Sequence, residues 1–404
     1  MEIIYALLKQ ALGKHFSGLT EIIISNITDA ISELKDIDTR LTELRKINNS
    51  LSRSELKDLA SNSFDIAGKY GKKATDYLLA VQEASRAGYD NAAGIAELSL
   101  AAQSASEMTS ELANQYIIAA DNAYKLGGSV EKLTEILDGS NNISNHNSVN
   151  MADLAEGMSV VGEQAASMGV EVNETTAALG TMIETTQLSG SEIAAAFETI
   201  LLNIRQITDD DACIDTEGLE RYKKACEALN VSLKETKNGI TTLRAPMDVI
   251  KELADAYANL GSHDKRKADL LDSVGGGINA DALNAILENY DTYEKMLNEY
   301  AQGAGSMAAE AEKAANSWEG SLNRLSNTWT DTVENVADSD AVITMINGFN
   351  GLLSVINNIT EAIGPLGTIG LGAGLFAGFN NIGKTYKHTV SNHLFNCFEY
   401  ALHA

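Results

Sequence analysis

Between Met151 and about Gln206, apolar positions recur at helical spacing in three successive runs, each opened by a capping residue. Leu154, Met158, Val161 and Ala165 share one face behind Asn150, an N-cap, with Asp153 in the first turn and Gly169 suited to a left-handed stop. The spacing predicts a second helix capped by Asn173 and carrying Leu179, Met182 and Ile183. Ser189 followed by Glu192 is a capping box for a third, which runs through Ile193, Phe197, Ile200, Leu201 and Ile204. Three helices with short breaks predict a bundle. Ala, Ser and Thr fill the remaining positions, so the run favours helix packing over chemistry.

The flanks extend the same pattern. Residues 1–50 read as amphipathic or coiled-coil helices: Ile24, Ile27, Ile31, Leu34 and Leu41 hold a seam that Asp38 and Arg45 interrupt. Residues 51–138 read as further helices separated by Gly71, Gly88–Tyr89 and Gly94, with Ser129 capping one that ends at Asp138–Gly139. Gly139–Asn150 is polar and asparagine-rich, which predicts a linker and a domain boundary before a core at 150–300. Val231–Leu233 and Ile240–Leu243 are β-prone around Asn238–Gly239, a tight-turn dipeptide, so one hairpin is expected near 231–243. Pro246 opens the next helix. From Ala304 the pattern predicts one long helix over 304–340, with Trp318, Leu322, Leu325, Trp329 and Val333 along a stripe. A low-charge, glycine-rich segment at 341–383 and a tail at 384–404 follow. The expected fold class is mainly α: a multi-helix bundle core with one small β-hairpin, flanked by extended helices and an apolar C-terminal segment.

Composition narrows the function. With 404 residues there is material for two or three domains, and only two prolines interrupt helices. Acidic residues outnumber basic ones 56 to 30, a net charge of −26 that opposes binding to phosphate backbones. Cys213, Cys226 and Cys397 are widely spaced and read as free thiols in a reducing compartment. Met1–Leu12 has an acidic start and no cleavage site, so it reads as an amphipathic helix rather than a signal peptide.

Candidate chemistry is thin. Thr208–Asp215 is rich in carboxylates, but the calcium-loop count from Asp209 places Ile214 where glycine is required, leaving a solvated acidic loop. The three glycines within Asp272–Leu287 are followed by Ile278, Asn279 and Ala280, with neither the lysine nor the hydroxyl of a phosphate loop; a turn is expected. His388, His393, Cys397 and His403 match no zinc spacing. No catalytic residue, cofactor site or metal site is expected.

The phrase from Met168 to Ile204, MGVEVNETTAALGTMIETTQLSGSEIAAAFETILLNI, resembles the core region of phage tail tape measure proteins. Gly169–Leu179 is similar to that family's glycine-valine helix start, and Ser189, Gly190, Ala194, Ala196 and Leu201 stand near its following small-residue helix. Cys226–Ala256 resembles the family's succession of a helix, a short extended pair and a proline-started helix. Lys69–Asp90 and Leu112–Gly128 are similar to upstream segments, so the resemblance covers roughly Leu34 to Val336.

The resemblance implies a structural protein, not an enzyme. It would template tail tube length in the host cytoplasm, reside in the virion tail and leave ahead of the DNA. Its implied partners are the major tail tube protein, tail assembly chaperones, tail-tip proteins and further copies of itself along the lumen. Family members are usually longer, so the chain is expected to be a truncated or N-terminal portion, of a kind found in prophages. Chain length converts to reach at about 1.5 Å per helical residue, so the whole chain as one helix would span ~600 Å. Ala362–Gly383 has no charged residue, and Gly370, Gly374 and Gly378 form a face of the kind that lets membrane helices approach. The family commonly carries such segments, thought to meet the host membrane at ejection. The alternative reading is a membrane-active, pore-forming helical protein that uses this segment. A signalling rod would need long uninterrupted heptads, which are absent beyond Leu41. Met151–Leu287 is expected to fold alone as a helical unit.

Overall fold

In the computed structural model the described residues are 33, 36–106, 108–205, 216–237, 239–317, 319–321, 323, 324, 326, 327 and 330. After a helical segment at 36–47, the labelled helices are, in order, α1 Arg53–Lys69, α2 Ala74–Arg86, α3 Ala92–Ser106, α4 Ser110–Tyr124, α5 Val130–His146, α6 Met151–Ser167, α7 Val172–Thr186 and α8 Gly190–Arg205. Then come α9 Thr216–Ala228, strands β1 Lys234–Lys237 and β2 Ile240–Leu243, α10 Pro246–Ala258, α11 Lys265–Ser273, α12 Gly277–Glu288, α13 Tyr290–Ala301 and α14 Ser306–Ala315. The fold is mainly α, as the periodicity predicts. The chain divides into two units, Met1–Gln82 with Ala315–Ala404, and Glu83–Ala314.

The second unit is built around α7. Its residues Thr175 to Ile183 are buried without interruption, which a helix achieves only when enclosed on every side. The enclosing helices are α5, α6, α8, α12 and α13. Buried threonines are tolerated because Thr176 and Thr181 donate to the carbonyls of Val172 and Ala177, each at 2.8 Å, leaving no unsatisfied hydroxyl. Phe197, Ile200 and Leu201 of α8 and Leu283 and Ile286 of α12 fill the same core. Glycines set the closest approaches. A Cβ at Gly180 would lie 2.8 Å from Met296 Sδ, and one at Gly157 would lie 2.9 Å from Leu179 Cδ1.

Several helix starts follow the local rules. Asn150 Oδ1 accepts from Asp153 N at 2.7 Å, and Ser189 N donates to the Glu192 carboxylate at 3.2 Å. Gly169 ends the α6 turn at φ 82°. Asn173, however, lies inside the first turn of α7. The N-cap is Glu171, whose N–H donates to the Glu174 carboxylate at 2.9 Å. Gly94, expected as a separator, also lies within a helix, where its N–H donates to Asn91 Oδ1 at 3.1 Å.

The expected linker at Gly139–Asn150 is also different: α5 continues through it to His146. Its polar residues are helical because distant residues answer them. Asn141 Nδ2 donates to Ser306 Oγ at 2.6 Å, Asn142 Nδ2 to Glu299 O at 2.6 Å, and Ser140 Oγ meets Tyr116 Oη at 2.6 Å. Gly139 is there because a Cβ would lie 2.6 Å from the Tyr300 ring.

The hairpin forms, but its first strand is Lys234–Lys237 rather than Val231–Leu233. Lys237 pairs with Ile240 around Gly239 at φ 77°, so the tight turn places the strand immediately before it. Val231 and Leu233 are instead buried in the core. Arg244, at the hairpin base, donates to both Glu252 oxygens at 2.6 and 2.7 Å. This holds the Glu252 carboxyl below its ordinary value of 4.5, an effect burial partly opposes. A depressed carboxyl stabilises above the unfolded value, and that contribution is lost as pH falls through the lower folded value. Glu252→Gln is therefore expected to lower stability by about 0.5–1 kcal/mol at neutral pH, and by progressively less as pH falls below the ordinary carboxyl value. Urea midpoints followed from neutral to acid pH check this; a loss that does not change with pH would remove the ionic explanation.

In the first unit, residues 36–47 are helical, with Ile37 and Leu44 buried on one face. Helix α1 starts from a reciprocal Ser52–Glu55 cap. The expected continuous helix from Ala304 breaks after α14, at residues 316–317. The α1–α2 turn lies against the break: Gly71 approaches so closely that a Cβ would lie 2.9 Å from Ala315 Cα and 2.8 Å from Gly320 Cα. Ser317 Oγ then accepts from Gly320 N at 3.1 Å, and Arg324 donates to Ala315 O at 2.6 Å, satisfying both broken ends. Trp318, Leu322, Leu325, Trp329 and Val333, residues 1–32, and everything beyond 330 lie outside the described residues.

Candidate functional site

From Leu133 to Ile204 the chain contains no lysine or arginine. This stretch covers most of α5 and all of α6 and α7, and it ends one residue short of the C-terminus of α8. Glu163, Glu171 and Glu192 on these helices are exposed, while Asp153, Glu156 and Glu184 are half-buried. With no lysine or arginine in this stretch, several carboxylates are answered by nearby backbone N–H groups, amides and hydroxyls. Asp153 accepts from Asn150 Nδ2 at 2.6 Å, Glu184 from Ser148 N at 3.1 Å, and Glu192 from the Ser189 hydroxyl at 2.6 Å. The Ser189 bonds hold the Glu192 carboxyl below its ordinary value. Glu174 behaves oppositely, its carboxyl raised chiefly by burial and further by Glu171 and Asp248. Beside it, the Tyr290 phenol is pushed up to about 12 by burial and by Glu294, Glu174, Asp255 and Asp248. Val160, 44% exposed, stands between Glu156 and Glu163 on α6.

Basic residues gather on α9, the hairpin, α10 and α11, where ion pairs take many of them up. Arg221 lies 3.7 Å from Glu217, Lys223 3.6 Å from Glu220, Arg244 2.6 Å from Glu252, and Lys267 3.9 Å from Glu288. Up to Ile204, helices α6–α8 thus carry carboxylates and no lysine or arginine. Such a stretch repels phosphate and can meet a cationic or neutral partner face. The missing cations were visible in the sequence, but net charge alone did not locate them.

The described residues hold little catalytic equipment. No group of three or more His, Cys, Asp or Glu is placed to hold a metal ion among them. An open pocket of about 360 Å³ is lined by Gly88, Tyr89, Asp90, Asn91, Asp121 and Gly128, without a histidine or a cation. Cys226 is fully buried, and burial pushes its thiol up to about 12, the opposite of a nucleophile's requirement. Gly275, Gly276 and Gly277 all have positive φ, so the three glycines form a turn at the start of α12, as expected.

The structure does not place the predicted packing glycines. Gly370, Gly374 and Gly378 lie outside the described residues, as do the acidic loop Thr208–Asp215, Cys213, Cys397 and His388, His393 and His403. Among the described residues, no helix is long and apolar enough to cross a membrane.

Among the described residues, the second unit is a helical core with one hairpin. The phage-related minor tail protein family matches residues 57–276, and the chain belongs to that family, whose members are structural parts of the phage tail. No solved structure matches it.

Proposed function

We propose that the chain acts as a tail tape measure protein, setting tail tube length during assembly and leaving ahead of the DNA. The observation that carries this reading is the family match over residues 57–276 on a mainly α chain. Helical polypeptide is a linear gauge, since each residue adds about 1.5 Å. The −26 net charge, concentrated in part on α6–α8, suits a protein that shares a lumen with DNA without binding it. The major tail tube protein, the assembly chaperones and the tail-tip proteins are its proposed partners.

Tail length tests this directly. An in-frame insertion of about 100 helix-forming residues should lengthen tails by ~150 Å in electron micrographs of the phage carrying it. Tails of normal length around the enlarged protein would sink the gauge role while leaving tail membership intact.

A further inference from the structure

The break between α13 and α14 is held together by residues from a different helix. Its own sequence, Gln302-Gly303-Ala304-Gly305, offers no capping side chain. Asp138 of α5 supplies the cap instead: Oδ2 accepts from Gly305 N at 2.7 Å and Oδ1 from Met307 N at 2.9 Å. A carboxylate at this position meets both the unsatisfied N–H groups and the positive end of the α14 dipole. On the other side of the break, Asn142 donates to Glu299 O, one of the last carbonyls of α13, and Asn147 donates to the Glu299 carboxylate at 2.6 Å. Lys295 Nζ closes the group by donating to Asn147 Oδ1 at 2.7 Å. Gly303 permits the approach, since a Cβ there would lie 2.6 Å from Asp138 O.

Two properties follow. The seam is polar, so water can replace its bonds on opening at modest net cost. It also covers little apolar surface, because within the second unit α14 buries only Met307 and Ala311 among its larger or core-facing apolar residues. By contrast, α7 is buried along nearly all its length. Regions with few buried apolar contacts open first.

We infer that α14 is a detachable helix, docked on the second unit chiefly through its Asp138 cap. When the seam opens, the chain from Gly303 leaves that unit and the core around α7 stays closed. The boundary between the two units falls at Ala314/Ala315, the end of this helix, so the seam controls one of the places where the chain passes out of the core. The inference holds whether or not the protein measures tails. It would give such a protein a first place to yield under tension.

Native-state hydrogen exchange on the full chain in rising urea tests it. In the unmodified protein, amides of 306–314 should lose protection at lower urea than those of α7. Asp138→Ala should accelerate exchange at Met307 and its neighbours roughly tenfold or more with α7 unchanged, and Asp138→Asn, keeping one acceptor, should fall between. Exchange of α14 and α7 together at the same urea concentration would overturn the inference. So would an Asp138→Ala effect spread equally over α7. The urea series on the unmodified chain stands by itself if the alanine variant does not fold.

Discussion

Ending the chain at Gly276, where the family match stops, is expected to abolish cooperative unfolding of the second unit. The cut removes α12 and α13, two of the five helices that enclose α7. With them go Leu283, Ile286, Leu287, Tyr293 and Met296 from the core. At about 1.5–3 kcal/mol for each large buried side chain, the loss is on the order of 10 kcal/mol. That equals the whole stability of a typical domain, about 5–15 kcal/mol. Thr181 and Gly180 of α7, which pack against Met296, would face water. The same reasoning revises the expectation from sequence that Met151–Leu287 folds alone, because that fragment lacks both α5 and α13. It is expected to keep some helix by circular dichroism but to melt without a sharp transition. Residues 83–314 are the fragment expected to melt cooperatively. A sharp transition in the chain ending at Gly276, with a midpoint matching that of 83–314, would contradict this account of the core.

Gly190→Ala is expected to cost about 3 kcal/mol or more, from overpacking against backbone that cannot move aside. A Cβ at Gly190 would lie 1.8 Å from the carbonyl oxygen of Asp153 and 2.6 Å from its carbonyl carbon. Gly157 faces the same crossing, where a Cβ would lie 3.3 Å from Gly190 O. The backbones of α6 and α8 therefore touch at a pair of glycines, and adding one carbon forces the helices apart. Gly169→Ala is the control: its φ is 82° but nothing lies within 4 Å of a Cβ, so only the left-handed penalty of about 1–2 kcal/mol applies. Thermal melts should show the Gly190 variant falling by roughly 10 °C, well beyond the Gly169 variant. Equal shifts in the two variants would mean that α6 and α8 do not approach as closely as described.

Much of the helical framework was legible from the sequence, and the reason is local. Asn150 with Asp153, Ser189 with Glu192, Ser129 with Lys132 and Pro246 at its helix start all act within about one turn, so partner and position are written side by side. The hairpin was legible for the same reason, since Gly239 and its neighbour set the pairing of Lys237 with Ile240. The strand boundary was misplaced because Val231 and Leu233 look β-prone when they are in fact anchors buried in the core. The stretch without lysine or arginine, Leu133 to Ile204, was fully present in the sequence and required only that charge be read by position.

Other features could not be found that way. Gly139–His146 has the composition of a linker, and it is helical because Ser306 and Glu299, more than a hundred positions away, satisfy its polar side chains. The helix after Ala304 has unbroken helical spacing, yet it breaks at 316–317, where Gly71 packs against Ala315 and Gly320. The sequence by itself determined where most helices start and which face of each is apolar, because capping and amphipathic spacing operate within a few residues. Only the tertiary structure decided where two helices end and why a polar stretch is folded. Those outcomes depend on hydrogen-bond partners and backbone contacts that the folded chain brings together.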